Sequence, residues 1–239
     1  HPPAKEVYAR LMENCPEIPS PPISRLCEAA AKAKLTLVMG LQERDGNTLY
    51  NTMLYISEEG EILGKHRKLI PTYTERLVWG RGDGSTLTVV DTPVGRLGGM
   101  VCWEHWMPLA RQAFHDQREL LHAAVWPSVN EVHLLASRNY AFEGRCFVIA
   151  VGSILTREHL PTDLALLNDL PGDGPWMTGG SAIIGPNAKI LAGPVMNEET
   201  LVIAEIDPEL AAKESMTLDV SGHYSRPDVF KLVIDDGKK

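Results

Sequence analysis

Apolar runs of strand length recur along this chain, and several come in pairs separated only by a turn. Leu35 to Leu41, Leu49 to Ile56 and the run from Glu61 to Leu69 are the first three, divided by turns at Asp45-Gly46-Asn47 and at Glu58-Glu59-Gly60. Thr86 to Val90 and Arg96 to Cys102 form a further pair around Thr92-Pro93-Val94-Gly95. Leu121 to Trp126, Phe147 to Ser153, Gly179 to Ile184, Lys189 to Leu191 and Leu201 to Ile206 complete the set. Helical spacing is confined to Ser24–Lys34, Pro108–Gln117, Leu134–Arg145 and Pro208–Glu214; Ser24 and Pro108 are placed to start theirs. Hairpins interspersed with helices predict an α/β chain of the α+β type, with a mixed sheet and helices packed on one face. Pro and Gly collect between Leu160 and Gly180, which reads as a long surface loop. Residues 1–239 are expected to form a single domain.

Bulk properties exclude some functions. The chain carries 23 basic and 31 acidic side chains, a net charge of −8, whereas a nucleic-acid surface needs a basic excess. No apolar run approaches the roughly 20 residues that span a bilayer. Cys15, Cys27, Cys102 and Cys146 are irregularly spaced, without a Cys-x-x-Cys pair or a secretory leader. The expectation is a reduced, cytoplasmic protein with no metal, no nucleic acid and no membrane as partner.

Cys102 ends an apolar strand and is followed at once by Trp103-Glu104-His105. A strand-to-helix elbow presents such a side chain above the sheet edge and turns the next backbone N–H groups toward the same spot. A thiolate there needs a nearby cation. An arbitrary cysteine on an apolar strand is more often structural, so this residue alone proves little. Lys68 lies in the basic cluster Lys65-His66-Arg67-Lys68. Such a cluster is usually a solvated face, a reading kept for its other members, while one lysine at a strand end could hold the thiolate. Glu75 follows shortly after, beside Arg76.

Together these segments resemble the centre of the nitrilases, a branch of the carbon–nitrogen hydrolases. Arg67-Lys68-Leu69-x-Pro71-Thr72 and Gly98-x-x-x-Cys102-Trp103-Glu104 carry that family's two landmarks. Gly40 to Gly60, Ala123 to Val129, Asn139 to Ser153 and Asp219 to Phe230 also look like nitrilase segments in nitrilase order. The resemblance implies an αββα sandwich with mixed β-sheets, and hydrolysis of an organic nitrile to a carboxylic acid and ammonia. It implies Cys102 as nucleophile, Lys68 as catalytic lysine and Glu75 as the glutamate that positions it. Trp103 and Glu104 would lie at the substrate nitrogen through their backbone N–H groups, and Trp126 with Pro127 would line the pocket. Arg145 would be structural. No cofactor is implied, and the chain would associate as a homo-oligomer. Amidase and cyanide-hydratase chemistry remain as alternatives, as does a silent binding or assembly protein.

One element of the family pattern is not found. The general-base glutamate of nitrilases sits in an early Phe-Pro-Glu stretch, and none of Glu6, Glu13, Glu17 or Glu28 follows an apolar strand. The family's first strand–helix–strand is therefore expected to be missing upstream of His1. Glu43 does follow an apolar strand and is the one substitute within the chain.

Overall fold

The computed structural model of the protein describes residues 2–238 except 165, 166, 168, 169, 171 and 173. Those six positions fall in the proline- and glycine-rich loop expected between 160 and 180, which to that extent lies outside the described residues.

Two helices, α1 (Pro2–Asn14) and α2 (Pro21–Ala33), open the chain. The second begins at Ser20-Pro21 rather than at Ser24, because proline's fixed φ suits a first helical position. Strands β1 (Leu37–Asp45), β2 (Thr48–Ile56) and β3 (Ile62–Arg67) form an antiparallel three-stranded sheet in that order. The second sheet is built from β4 (Val90–Thr92), β5 (Gly95–Val101), β6 (Leu121–Trp126), β7 (Phe147–Gly152), β9 (Met177–Ile184) and β10 (Ile190–Met196). The short β8 (Ile154–Leu155) pairs β9 off the main path. Its order is β10-β9-β7-β6-β5-β4, parallel across β5, β6 and β7 and antiparallel elsewhere. Helices α3 (Pro108–His115) and α4 (Glu131–Gly144) are the crossovers that parallel pairing demands; α5 (Glu209–Ser215) lies near the end.

Side-chain alternation along β2 sets the layering. Leu54 and Ile56 point to one face and pack with Ile23 and Ala30 of α2. Met53 and Tyr55 point to the other and pack with Leu97, Leu121, Ala123 and Phe147 of the larger sheet. That sheet turns Met100, Ala124, Val148 and Ala150 toward Phe114 of α3 and Tyr140 of α4. The order is helix, sheet, sheet, helix, as the resemblance implied. Gly99 lets the two sheets close: a Cβ there would sit 2.6 Å from Met53 Sδ and 2.7 Å from the Ala123 carbonyl oxygen. Gly99→Ala is expected to destabilise the fold by about 1–3 kcal/mol, read as a lower urea midpoint at unchanged slope.

Two expected strands come out differently. Thr86 to Val90 is preceded by a 3-10 turn over Gly84–Thr86, because the Asp83 carboxylate accepts from Ser85 N–H at 3.0 Å, and pairing begins only at Val90. Leu201 to Ile206 joins no ladder among the described residues. Its Leu201 and Ile203 are exposed while Ile206 packs onto the core between the sheets. A period-2 pattern shows that one face is covered, not that the edges are paired. No helix among the described residues is long and apolar enough to cross a membrane.

Candidate active site

Strand β5 delivers Cys102 and β3 delivers Lys68, and the two strand ends meet. Cys102 takes φ +59°, a left-handed conformation that costs a residue with a Cβ, and a 3-10 turn over Cys102–Trp106 leads on toward α3. The elbow expected from the sequence is present, with a tight turn in place of a direct entry into α-helix. The thiol is buried, and burial pushes its pKa up. The Lys68 charge and a hydrogen bond from the Trp103 backbone N–H oppose that rise, the Glu75 and Glu104 charges add to it, and the thiol stays above its ordinary value. Lys68 is the local cation that favours the thiolate against the desolvation that disfavours it.

Lys68 is only 1% exposed. Its ammonium donates to Glu75 Oε2 at 2.5 Å, and the same oxygen accepts from Thr72 N–H. Glu75 is held in turn by its place in a 3-10 turn capped by Thr72. The side chain of Glu75 is 32% exposed, so the pair bridges the interior and the solvent.

Glu104 joins the two strand ends from below. One carboxylate oxygen accepts from Leu69 N–H at 2.7 Å and the other from Val101 N–H at 2.7 Å. Its remaining capacity goes to His66 Nε2 at 3.0 Å. Burial alone would raise Glu104, but His66 and the two N–H donors outweigh it and hold the carboxyl below its ordinary value. Burial would likewise lower His66, yet Glu104 and the Thr86 carbonyl keep it raised. Both groups are buried, so this is a hydrogen-bonded ion pair in the core.

The sequence matches the carbon-nitrogen hydrolase family over residues 2–213. An aliphatic nitrilase of Sinorhizobium fredii is 41% identical over 239 residues, all of this chain and 77% of that protein. A bifunctional nitrilase/nitrile hydratase of Nicotiana tabacum is 39% identical over 236 residues, 97% of this chain and 68% of that one. The chain belongs to the carbon–nitrogen hydrolases. Solved structures agree on the fold. A carbon–nitrogen hydrolase from Helicobacter pylori superposes with TM-score 0.71 at 21% identity, covering 85% of this chain and 72% of that one. The Xanthomonas campestris protein XC1258 gives 0.70 at 18%, covering 94% and 80%.

In this carbon–nitrogen hydrolase the expected residues do not all stand where the sequence reading put them. Cys102, Lys68 and Glu75 converge. Trp103 is half-exposed, its ring edge-on to His133, and its N–H meets the sulfur. The Glu104 side chain is turned into the core, which leaves it only a backbone role toward substrate. Trp126 is buried as well. It stacks on His105 at 4.7 Å and on His133 at 4.6 Å, and its indole N–H donates to Ser137 Oγ, so it supports the elbow from beneath and does not line an open pocket. Arg145 is structural, donating to the carbonyls of Pro186 and Leu218. Glu43 is no spare base. Its buried carboxylate is taken up by Arg67, Lys65 and Thr52, which hold its pKa down against the raising effect of burial.

The basic cluster is also not the solvated face it was taken for. His66 and Arg67 are buried, with Glu104 and Glu43 as partners. Sequence reasoning met His66 and His105 only as neighbours of Lys68 and Cys102, and did not single out Glu119, His122 or Tyr140. His105 and His122 each have one partner three residues away, but the pairs that link His66 to Glu104, His105 to His122 and Tyr140 to Glu119 cross between elements, which no local pattern carries.

Proposed function

We propose that this hydrolase is a nitrilase, converting an organic nitrile to the carboxylic acid and ammonia. The observation that carries the proposal is the convergence of Lys68, anchored by Glu75, on a buried cysteine held at a positive φ. The names of the two relatives support nitriles over amides. The Cys102 thiolate adds to the nitrile carbon, and the displaced π electrons go to nitrogen, which takes a proton from Lys68 and leaves a thioimidate. The Trp103 N–H lies beside the sulfur, where it can meet the charge developing on nitrogen. A first water adds to the thioimidate carbon and ammonia departs, leaving a thioester. A second water releases the acid and restores the thiol. Residues of this chain supply the nucleophile and the acid; the hydrolytic steps further require a base near the waters.

Intact-mass spectra after brief exposure to aliphatic, aromatic and arylacetonitriles, with ammonia measured in parallel, test the proposal. A nitrile-derived adduct that maps to Cys102 and decays with ammonia release is the expected result. An adduct that persists keeps Cys102 as nucleophile and removes the hydrolytic half from this chain. Ammonia from amides with no response to any nitrile would replace the proposal with an amidase. The proposal includes a cytoplasmic homo-oligomer. Leu109 and Leu135, exposed on the outer helices, are apolar surface that such association would cover, and sedimentation reads it.

A further inference from the structure

Beneath the elbow, on the side of α3 and α4, runs a line of buried polar side chains that the chemistry above does not use. His105 Nδ1 lies 2.7 Å from the Cys102 carbonyl oxygen. His105 Nε2 lies 3.0 Å from His122 Nε2, and His122 Nδ1 lies 2.9 Å from Glu119 Oε2. Tyr140 O–H donates to Glu119 Oε1. Aromatic stacking fixes the ring planes, His122 on Tyr140 at 3.7 Å and His105 on Trp126 at 4.7 Å. Glycine makes the room: a Cβ on Gly98 would stand 2.1 Å from Glu119 Oε2.

Donor and acceptor rules give this line one direction. A carbonyl only accepts, so His105 carries its proton on Nδ1 and leaves Nε2 bare. The contact between the two Nε2 atoms then requires the proton on His122 Nε2. A neutral His122 of that tautomer offers a bare Nδ1 to Glu119, which must therefore be the protonated acid; the alternative places the same proton on Nδ1 as an imidazolium. The buried setting favours the neutral acid. Burial pushes Glu119 up to about 7, opposed by His115 and Tyr140, and pushes His122 well below its usual value, aided by His115 and His66.

Resting on the assignment of Cys102 as nucleophile, we propose that Tyr140, Glu119, His122 and His105 are a proton-ordered positioning chain that orients and polarises the Cys102–Trp103 peptide. The carbonyl that accepts from His105 and the N–H that meets the Cys102 sulfur belong to that one peptide unit. A hydrogen bond on the oxygen sharpens the donor at the nitrogen and pins the left-handed elbow. Ionised Glu119 breaks the sequence. Its proton loss leaves either two bare Nε2 atoms facing each other or a His105 tautomer that releases the carbonyl. The charged and titratable groups facing Glu119 are His115 from α3, with its Nδ1 3.9 Å away, Tyr140 from α4, the Cys146 thiol and the Tyr55 hydroxyl of β2. Those facing His122 are His105 and Glu104 from the elbow turn, His66 from β3, His115 from α3 and Tyr140 from α4.

Two measurements decide it. Nitrogen NMR of the protein labelled with 15N-histidine, assigned with His105→Gln and His122→Asn, reads the tautomers at pH 6. Protons on His105 Nδ1 and His122 Nε2 are expected; a proton on His105 Nε2 overturns the proposal. Adduct formation at Cys102 with a nitrile is then timed in Glu119→Leu and Glu119→Gln. Leucine cannot relay, and a fall in rate of about tenfold or more at unchanged KM is expected, since small misplacements of a reacting group are costly. Glutamine can accept from Tyr140 and donate to His122 with no proton to lose. Its rate relative to wild type is expected to lie near one at pH 6 and to climb between pH 6 and 8 as wild-type Glu119 ionises. Wild-type rates in both variants at all pH values, with Cys102→Ala silent, overturn the chain and leave the nitrilase assignment standing. Absence of any adduct in the wild type overturns the assignment instead, and the tautomers still judge the chain.

Discussion

Cys102→Ala is expected to cut nitrile turnover by about six orders of magnitude, the scale seen when the nucleophile of a concerted catalytic unit is removed. The loss should be confined to chemistry. Cys102 is buried, and trading its sulfur for a hydrogen leaves a void smaller than a deleted leucine would, so about 1 kcal/mol of stability is the expected accompaniment. Ammonia release at saturating nitrile, together with a melting curve, separates the two effects. Retention of even a hundredth of the wild-type rate in a folded variant would mean that another group attacks the nitrile, and the scheme built on Cys102 would be wrong.

The second large effect falls on Glu104. Glu104→Ala strips acceptors from the N–H groups of Leu69 and Val101 and leaves the His66 imidazolium buried without its counter-ion. Breaking a buried pair by removing one partner costs about 3–5 kcal/mol, a large fraction of the stability of an ordinary domain. Urea denaturation reads it. Glu104→Gln keeps acceptor capacity but cannot neutralise His66, so it separates hydrogen bonding from charge. The pH dependence carries a sign on each side. The depressed Glu104 pKa contributes stability that is present above the ordinary carboxylate value and is lost as pH falls through the folded value. The raised His66 pKa contributes stability that is complete below the ordinary imidazole value and is lost as pH rises through the folded one. Both limbs should flatten in Glu104→Gln. Unchanged limbs would dismiss the ion pair as their source.

The four layers of this fold were legible only through the family resemblance, since the residues alone predicted one mixed sheet with helices on one face, whereas the chain forms two sheets. Met53 and Tyr55 against Leu54 and Ile56 is a period-2 pattern that any strand of that sequence must express. Cys102 and Lys68, the proposed nucleophile and its lysine, stood out for a different reason: both sit at strand ends in short, dense motifs. The environment of those motifs was not. The partners of Arg67 and His66 lie 24 and 38 residues away, so a cluster that looks solvated in the sequence is buried once β3 is packed. Glu104 was expected at substrate only through its backbone N–H, and Trp126 because the family lines its pocket there. Side-chain directions were not legible: Trp103 turns outward from the elbow, while Glu104 turns into the core and Trp126 is buried against His105 and His133.

That division of the elbow has a bearing on how such a protein can change. Cys102 and Glu104 face inward and are answerable to the fold, whereas Trp103, Tyr73 and Leu77 are exposed beside the same two catalytic strands. Substitutions on the outward set leave the ion pair and the strand junction untouched. Sequence change can therefore accumulate on the outward residues while the buried ones keep Cys102 and its supports in place. Variation at positions 73, 77 and 103 is expected to leave the fold intact, and the interior below them is best left as it stands.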